Sequence, residues 1–462
     1  MIQKEMKRVV ELVGEVIHVA KQKQSPQLLS ITDKIEPTDP YHFFEQAKQI
    51  GENRLFWSST TEGFYLVGAG ETFAIKANQR NRYEQTEKQW QQMLANAVIY
   101  NPYQSPGTGP IAIGGFSFDP EKEKTTLWNN FDDSQFRVPT YLLTITENTY
   151  YLTLNIMVRP EDHAQQIEYM IEKDKQLLFH TTGSTYETPV ISNKQEIGAT
   201  DWKQVVDQAT EAIMQNQVSK VVLAREMRVT FEKTVNITAI LANLMRTQTR
   251  SYIFAIENNS DCFLGATPER LVRVDGEQLL STCLAGTAPR GNSVAEDNQI
   301  GQQLLHDEKN RSEHQFVVEM IRDAIASYCD NIVIPNKPVL YPLKNLQHLY
   351  TPVKAKLKKT HTIFDIVKEL HPTPALGGFP RQASLTFIRD YEQLDRGWYG
   401  APIGWLDANQ SGEFAVAIRS ALVKETEASL FAGCGIVKDS DPEEEYQETT
   451  MKFTPMLSVL GG

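Results

Sequence analysis

A mixed α/β protein is predicted by three features of this sequence. Short apolar runs with strand spacing recur along the first 180 residues and again after residue 220. Amphipathic stretches of helical period lie between them. The 462 residues suffice for one large α/β unit or for two to three ordinary domains. Hydrophobic residues make up 41% and charged residues 23%, a globular composition that argues against wholesale disorder.

In chain order, residues 64–67, 141–145 and 150–154 read as strands, and 161–178 as a helix of mixed charge. Gly68-Ala69-Gly70 lacks the third glycine of a dinucleotide fingerprint and reads as a turn. The polar, turn-rich stretch 180–201 marks an internal boundary, dividing an N-terminal α/β region (1–195) from a second region (196–462). A helix follows, with Thr200 or Asp201 near its cap and Val205, Ala209 and Ile213 on one stripe. Residues 221–224 form a buried strand. Asp275-Gly276 centres a hairpin over 271–280 with the signal of a type I′ turn. One long helix is expected over roughly 298–329 and a last one from Pro442.

The net charge of −12 disfavours non-specific binding to nucleic acid or to anionic membranes, and any anionic ligand must meet a local cluster of positive groups. The N-terminus carries charges of both signs and no apolar signal core, and no apolar run approaches the roughly 20 residues that span a bilayer. Cys262, Cys283, Cys329 and Cys434 form no C-x-x-C pair, as in a reduced cytoplasmic protein without structural zinc.

Several residues need an explanation. Glu313 lies on a helical stripe with Val317, Met320, Ile321 and Ala324, so its carboxylate should share their core-facing side. It is then either at the stripe edge, reaching water, or buried against a cation. On the last helix Glu445, Glu448 and Lys452 share a face, which is either a solvated surface with a Glu448–Lys452 pair or, with Glu313, an oxygen-rich site suited to Mg²⁺. The run 414–422 alternates as a strand. Phe414, Val416, Ile418 and Leu422 face one way, and Ala415, Ala417 and Ala421 face the other with Arg419. A guanidinium among methyl groups has room above it for a carboxylate, or else pairs with a nearby acid. Lys220 opens a buried strand; an apolar setting would disfavour its charged form and leave an amine able to act as a base. Otherwise it is a surface lysine at a strand end. Glu269 reads by itself as a solvated loop residue. The breaker-rich loop 371–380 and the glycines of Ala432-Gly433-Cys434-Gly435 are either tight turns or places of close backbone approach to a ligand.

Taken together, Ser219-Lys220-Val221-Val222-Leu223-Ala224-Arg225, Gly265-Ala266-Thr267-Pro268-Glu269-Arg270 and Leu284-Ala285-Gly286-Thr287-Ala288-Pro289-Arg290 resemble motifs of the chorismate-utilising enzymes. So do Glu313-His314, the 371–380 loop, 414–419, 432–436, and Glu445-Tyr446-Gln447-Glu448-Thr449 with Lys452, all in family order over about 200–462. The resemblance implies two stacked, mostly antiparallel sheets with helices outside and the site between them, the N-terminal half adding strands to the same core. It implies Mg²⁺ held by Glu313 and Glu445 with Glu448 close by, the metal taking the ring carboxylate of chorismate. Arg419 and the amides near Gly433 and Gly435 would hold the enolpyruvyl carboxylate, with Tyr399 and Lys452 lining the pocket. His348 would lie beside the ring carboxylate, and Gly286 and Thr287 would form another wall.

The resemblance also implies a branch. Members that add ammonia carry Gln at the position of Lys220, and aminodeoxychorismate enzymes carry a nucleophilic lysine at that of Ala285, so both residues point to water as nucleophile. Lys220 would take a proton from water attacking C2, and Glu269 would give one to the departing C4 hydroxyl, yielding isochorismate. Ala375-Leu376 follows the pattern of members that stop there rather than eliminating pyruvate to salicylate. Asn310 stands where an acid often precedes the metal-binding Glu. The extended N-terminal region suits the menaquinone-pathway enzymes better than the siderophore ones. A monomer without an amidotransferase subunit is expected. The rival readings are a salicylate synthase, a non-catalytic sensor of an aromatic precursor, and an amidotransferase-dependent synthase.

Overall fold

The computed structural model describes residues 2–180, 186–343 and 346–462. Residues 181–185, inside the boundary expected at 180–201, lie outside the described residues.

Strand pairing gathers the chain into two sheets. The larger has 13 strands, in the order Ile191–Glu196, Lys220–Phe231, Glu427–Ile436, Ser420–Lys424, Asp261–Thr267, Tyr252–Asn258, Leu55–Ser59, Phe64–Ala69, Tyr141–Thr146, Thr149–Val158, Gln27–Ile35 and Ala97–Tyr100. The short strand Gly378–Phe379 pairs beside Lys220–Phe231. The smaller has 10, in the order Cys329–Val333, Leu346–Leu357, Gln278–Pro289, Arg270–Asp275, Gly412–Val416, Pro402–Asp407, Ile111–Phe116, Ser134–Val138 and Phe73–Ala77, with Val339–Pro342 beside Leu346–Leu357. Pairing is antiparallel except between Gln27–Ile35 and Ala97–Tyr100. Strands from before residue 180 enter both sheets.

Side-chain alternation builds three cores from these two sheets. Between the sheets lies an aromatic layer in which Trp57, Phe254, Phe263 and Phe431 of the larger sheet meet Ile113, Ile403, Trp405 and Ala415 of the smaller. The opposite faces are covered by helices: Ala199–Met214, Glu308–Ile325, Ile363–Leu370 and Arg381–Tyr391 pack into one outer core, and Ile237–Thr247 and Pro442–Val459 into the other.

Several local expectations are corrected. The single helix over 298–329 is two, Val294–His306 and Glu308–Ile325, because Asp307 leaves helical geometry and its carboxylate caps the second by accepting from Asn310 N–H. The N-cap of Ala199–Met214 is Gly198, in the left-handed region, which puts Thr200 and Asp201 in the first turn of the helix. The hairpin forms with Asp275 opposite Gln278, but Gly276 alone of the two turn residues has positive φ (58°), so the turn is not type I′.

The most consequential difference is at 414–422, which is not one strand. Gly412–Val416 belongs to the smaller sheet and Ser420–Lys424 to the larger, and the chain crosses between them at 417–419, where Arg419 takes φ +49°. The face pattern therefore changes midway: Ala415 and Leu422 both join the aromatic layer, while Phe414 and Ala421 face opposite outer cores.

Candidate active site

Two such crossings run side by side. The chain also passes from Asp261–Thr267 in the larger sheet to Arg270–Asp275 in the smaller through Pro268 and Glu269. Ala266 N–H donates to the Arg419 carbonyl (3.1 Å), and Val416 N–H donates to the Glu269 carbonyl (3.0 Å). These bonds fix the two crossings against each other and bring a carboxyl group and a guanidinium to the same gap between sheets. Gly265 is required there, because a Cβ would lie 2.8 Å from the Arg419 carbonyl oxygen.

Glu269 is not a solvated loop carboxylate. Burial raises its pKa to about 7, with Arg419 pulling weakly the other way. The residue keeps some accessible surface, as a group at the wall of an open recess does. Arg419 is recessed too, and burial lowers its pKa while Glu269 raises it. Its guanidinium has no hydrogen bond or ion pair within 4 Å among the described residues, so it remains available to a ligand carboxylate.

Lys220 begins the strand Lys220–Phe231, and its side chain runs over Gly435 of the neighbouring strand. A Cβ on Gly435 would come within 2.6 Å of Lys220 Cε, so the glycine makes the space the lysine occupies. The setting is not purely apolar, because Nζ lies 3.2 Å from Glu313 Oε1. Glu313 itself is not core-facing: 48% of its side chain is accessible, at the border of a stripe whose buried members are His314, Val317, Val318, Ile321 and Ile325. The helix is turned so that His314, rather than Glu313, enters the core, where its Nδ1 meets the Ala285 carbonyl (3.0 Å) and its Nε2 meets Thr351 Oγ1 (2.7 Å).

The facing wall comes from the smaller sheet. A bulge at Gly286 (φ +75°) interrupts the pairing of Gln278–Pro289 with Leu346–Leu357, and Thr287 beyond it pairs with His348. Thr287 Oγ1 and His348 Nδ1 share a hydrogen bond of 3.0 Å. Burial, with Arg419 adding to it, pushes the His348 pKa down to about 4, so the ring is neutral at physiological pH. Asn310 accepts from Thr287 N–H through its Oδ1 (3.3 Å) and donates to Asp307 (2.8 Å), holding the wall rather than offering a charge.

Against the larger sheet, Tyr399 of the turn before Pro402–Asp407 is buried, stacks on Phe431 at 5.3 Å, and its hydroxyl would lie 3.4 Å from a Cβ on Gly433. In the loop after Leu370, Ala375 is exposed and Leu376 buried. The helix Pro442–Val459 is capped by Asp441, while Ser440 donates to Glu445 Oε1 (2.7 Å). Lys452 pairs with Glu448 (2.6 Å) and also donates to the Gly433 carbonyl (2.9 Å), so this i, i+4 pair is tied to the strand beneath it.

Among the described residues no three His, Cys, Asp or Glu side chains form a preassembled metal cage. Each candidate carboxylate has a protein partner: Glu313 has Lys220, Glu445 has Ser440 and Glu448 has Lys452. The donors are hard carboxylate oxygens, the kind with which Mg²⁺ is held by one or two side chains plus water and substrate oxygens, and in that respect Glu313 and Glu445 fit it. Two cavities of about 390 and 290 Å³ are lined by other residues and contain neither Lys220 nor Arg419.

Sequence reasoning missed the groups that brace this site. Glu392 and Arg396 form a fully buried ion pair (2.6 Å). Glu392 accepts from Ala224 N–H (2.7 Å), and Arg396 donates to the carbonyls of Val222 (2.7 Å) and Leu376 (3.0 Å). They serve backbone groups of the Lys220 strand between its pairings with Gly378–Phe379 and Ile191–Glu196. In sequence they are an i, i+4 pair like any on a solvated surface.

A family model described as "Chorismate binding enzyme" matches residues 15–461. The isochorismate synthase MenF of Bacillus subtilis (strain 168) is 42% identical over 465 residues, spanning 97% of this chain and 97% of that protein. The salicylate biosynthesis isochorismate synthase of Pseudomonas aeruginosa is 34% identical over 445 residues, spanning 95% of this chain and 91% of the relative. Among solved structures, that of MenF, the menaquinone-specific isochorismate synthase from Escherichia coli, matches with a TM-score of 0.81 at 24% identity, covering 96% of this chain and 100% of that one.

Proposed function

We infer the reaction from the premise that this chain belongs to the chorismate binding enzyme family: it is an isochorismate synthase, adding water at C2 of chorismate as the C4 hydroxyl departs. The two curated relatives described above, matched nearly end to end, are both isochorismate synthases by name. The observation that carries the chemistry is a carboxyl held at a pKa of about 7, Glu269, in the same recess as an unpaired guanidinium. A general acid works best with its pKa near the working pH.

Lys220 Nζ takes the proton from the water that attacks C2. Glu269, protonated, gives its proton to the C4 hydroxyl, which leaves as water while the ring double bonds shift. One water enters and one departs, so substrate and product are isomers. Arg419 accepts the enolpyruvyl carboxylate with its fork, helped by the amides near Gly433 and Gly435. Neutral His348, held by Thr287, lies beside the ring carboxylate and adds no competing positive charge. Tyr399, Gly286, Ala375, Leu376 and Lys452 close the pocket around the ring.

Glu313 and Glu445, with Glu448 close by, would hold Mg²⁺, which when bound supplies positive charge to the ring carboxylate. Glu313 accepts from Lys220 Nζ (3.2 Å), and a cation held by Glu313 would weaken that ion pair. The product is assigned to menaquinone biosynthesis, on the end-to-end match to a MenF. No helix among the described residues is long and apolar enough to cross a membrane, in keeping with a cytoplasmic enzyme acting on a water-soluble dianion.

Incubation with chorismate and Mg²⁺, followed by chromatography of the products, tests the reading. Isochorismate in equilibrium with chorismate is expected. Accumulation of salicylate and pyruvate would replace the reading with a salicylate synthase, and Mg²⁺-dependent chorismate binding without turnover would replace it with a sensor.

A further inference from the structure

Arg225 is a cation enclosed in the fold: its side chain is 1% accessible, and burial lowers its pKa. Burying an arginine is costly unless it is matched by acids at hydrogen-bond distance. Here the nearest carboxylate oxygen, of Glu196, is 3.9 Å away, and Nη1 has no hydrogen-bond partner among the described residues. The remaining donors all go to one turn of one helix. Nε donates to Thr449 Oγ1 (2.7 Å), and Nη2 donates to Thr450 Oγ1 (2.5 Å) and to the Tyr446 carbonyl (3.1 Å). The guanidinium also lies 3.9 Å from the Tyr446 ring centroid and 4.9 Å from that of Phe453.

That helix, Pro442–Val459, carries Glu445, Glu448 and Lys452. Arg225 stands on the strand that begins with Lys220, opposite Ala432 and so one residue from Gly433. Two of the three residues it hydrogen-bonds adjoin a site residue in sequence: Tyr446 follows Glu445, and Thr449 follows Glu448. A helix resting on apolar contacts alone can rotate about its axis by several degrees at little cost. Directional bonds from a fixed strand remove that freedom, and with it the freedom of the carboxylates on the adjoining face.

We infer that Arg225 is a positioning residue: it sets the rotation of the C-terminal helix relative to the Lys220 strand and thereby aims Glu445 and Glu448 at the cation. The inference rests on the metal reading of those two carboxylates. Outer groups that orient metal-binding side chains typically change metal affinity or activity by about 10- to 100-fold when altered.

The test compares Arg225→Lys and Thr450→Val with the parent chain. Thr450 is exposed, so its variant keeps the fold even should Arg225→Lys lose it. Three quantities are measured: Mg²⁺ affinity by calorimetric titration, kcat and KM for chorismate, and amide hydrogen exchange over 442–459. Arg225→Lys is expected to weaken Mg²⁺ binding about 10-fold or more and Thr450→Val about 3-fold. Both should lower kcat at limiting Mg²⁺ more than they raise the chorismate KM, with faster exchange confined to 442–459. Folded variants with parental Mg²⁺ affinity and exchange would overturn the inference. So would an activity loss that merely follows the unfolded fraction, which is what a structural anchor predicts. A parent chain that binds no Mg²⁺ or does not convert chorismate would instead sink the functional reading, while the exchange data still report on the clamp.

Discussion

Glu269→Gln separates the two claims made for this carboxyl, that it is held protonated and that it gives up that proton. The amide keeps the shape and removes the ionisation. Burial raises the Glu269 pKa from the ordinary 4.5 to about 7. At 1.36 kcal/mol per pH unit that interval corresponds to about 3 kcal/mol, and the opening of the recess to water reduces it to roughly 1–2 kcal/mol. The sign follows from the direction. The folded state prefers the neutral form, so this contribution is fully present below pH 4.5 and is lost as pH rises through about 7. Urea unfolding of parent and variant should therefore agree near pH 4.5, and by pH 8 the variant should be the more stable by roughly 1–2 kcal/mol. Other buried acids such as Asp407, also raised to about 7, titrate in both proteins and cancel in the difference. Turnover of the variant should fall by about 10²- to 10⁴-fold at every pH, while parental kcat declines above about pH 7. A stability difference independent of pH would refute the burial assignment, and retained turnover would refute the role.

Arg419→Gly should relieve the φ +49° backbone, worth about 1 kcal/mol, so the melting temperature is kept or raised while the chorismate KM rises at least about 10-fold; an unchanged KM excludes Arg419 from the pocket. Gly435→Ala places a methyl group 2.6 Å from Lys220 Cε and should lower kcat about 10²-fold with little change in unfolding midpoint, read by steady-state kinetics beside a urea titration. Chelation by EDTA should abolish turnover reversibly, and Glu313→Gln should raise the Mg²⁺ needed for half-maximal rate about 10-fold or more without unfolding the protein; metal-independent turnover would overturn the assignment of Glu313.

Much of this molecule is local physics and was legible in the chain. The strands at 64–67, 141–145 and 150–154 and the helix start at Pro442 follow from side-chain period and from capping chemistry that acts within four residues. The motif residues were legible as a set, through resemblance. Their environments were not. Glu269 reads as a loop carboxylate because nothing within ten residues announces the second crossing that roofs it, and Arg419 reads as a strand residue because alternation continues in letters across a break in space. The spacing of Glu313 leaves open a carboxylate at the stripe edge or one buried against a cation, and the rotation that puts it at the edge is decided by His314 finding Ala285 and Thr351, partners 29 and 37 residues away. Period and capping are properties of neighbours in sequence, so the chain alone determined which elements form and roughly where. Burial, charge pairing and the meeting of sheets depend on groups distant in sequence, so only the tertiary structure decided which carboxyl keeps its proton, which arginine is left open, and what Lys220 faces.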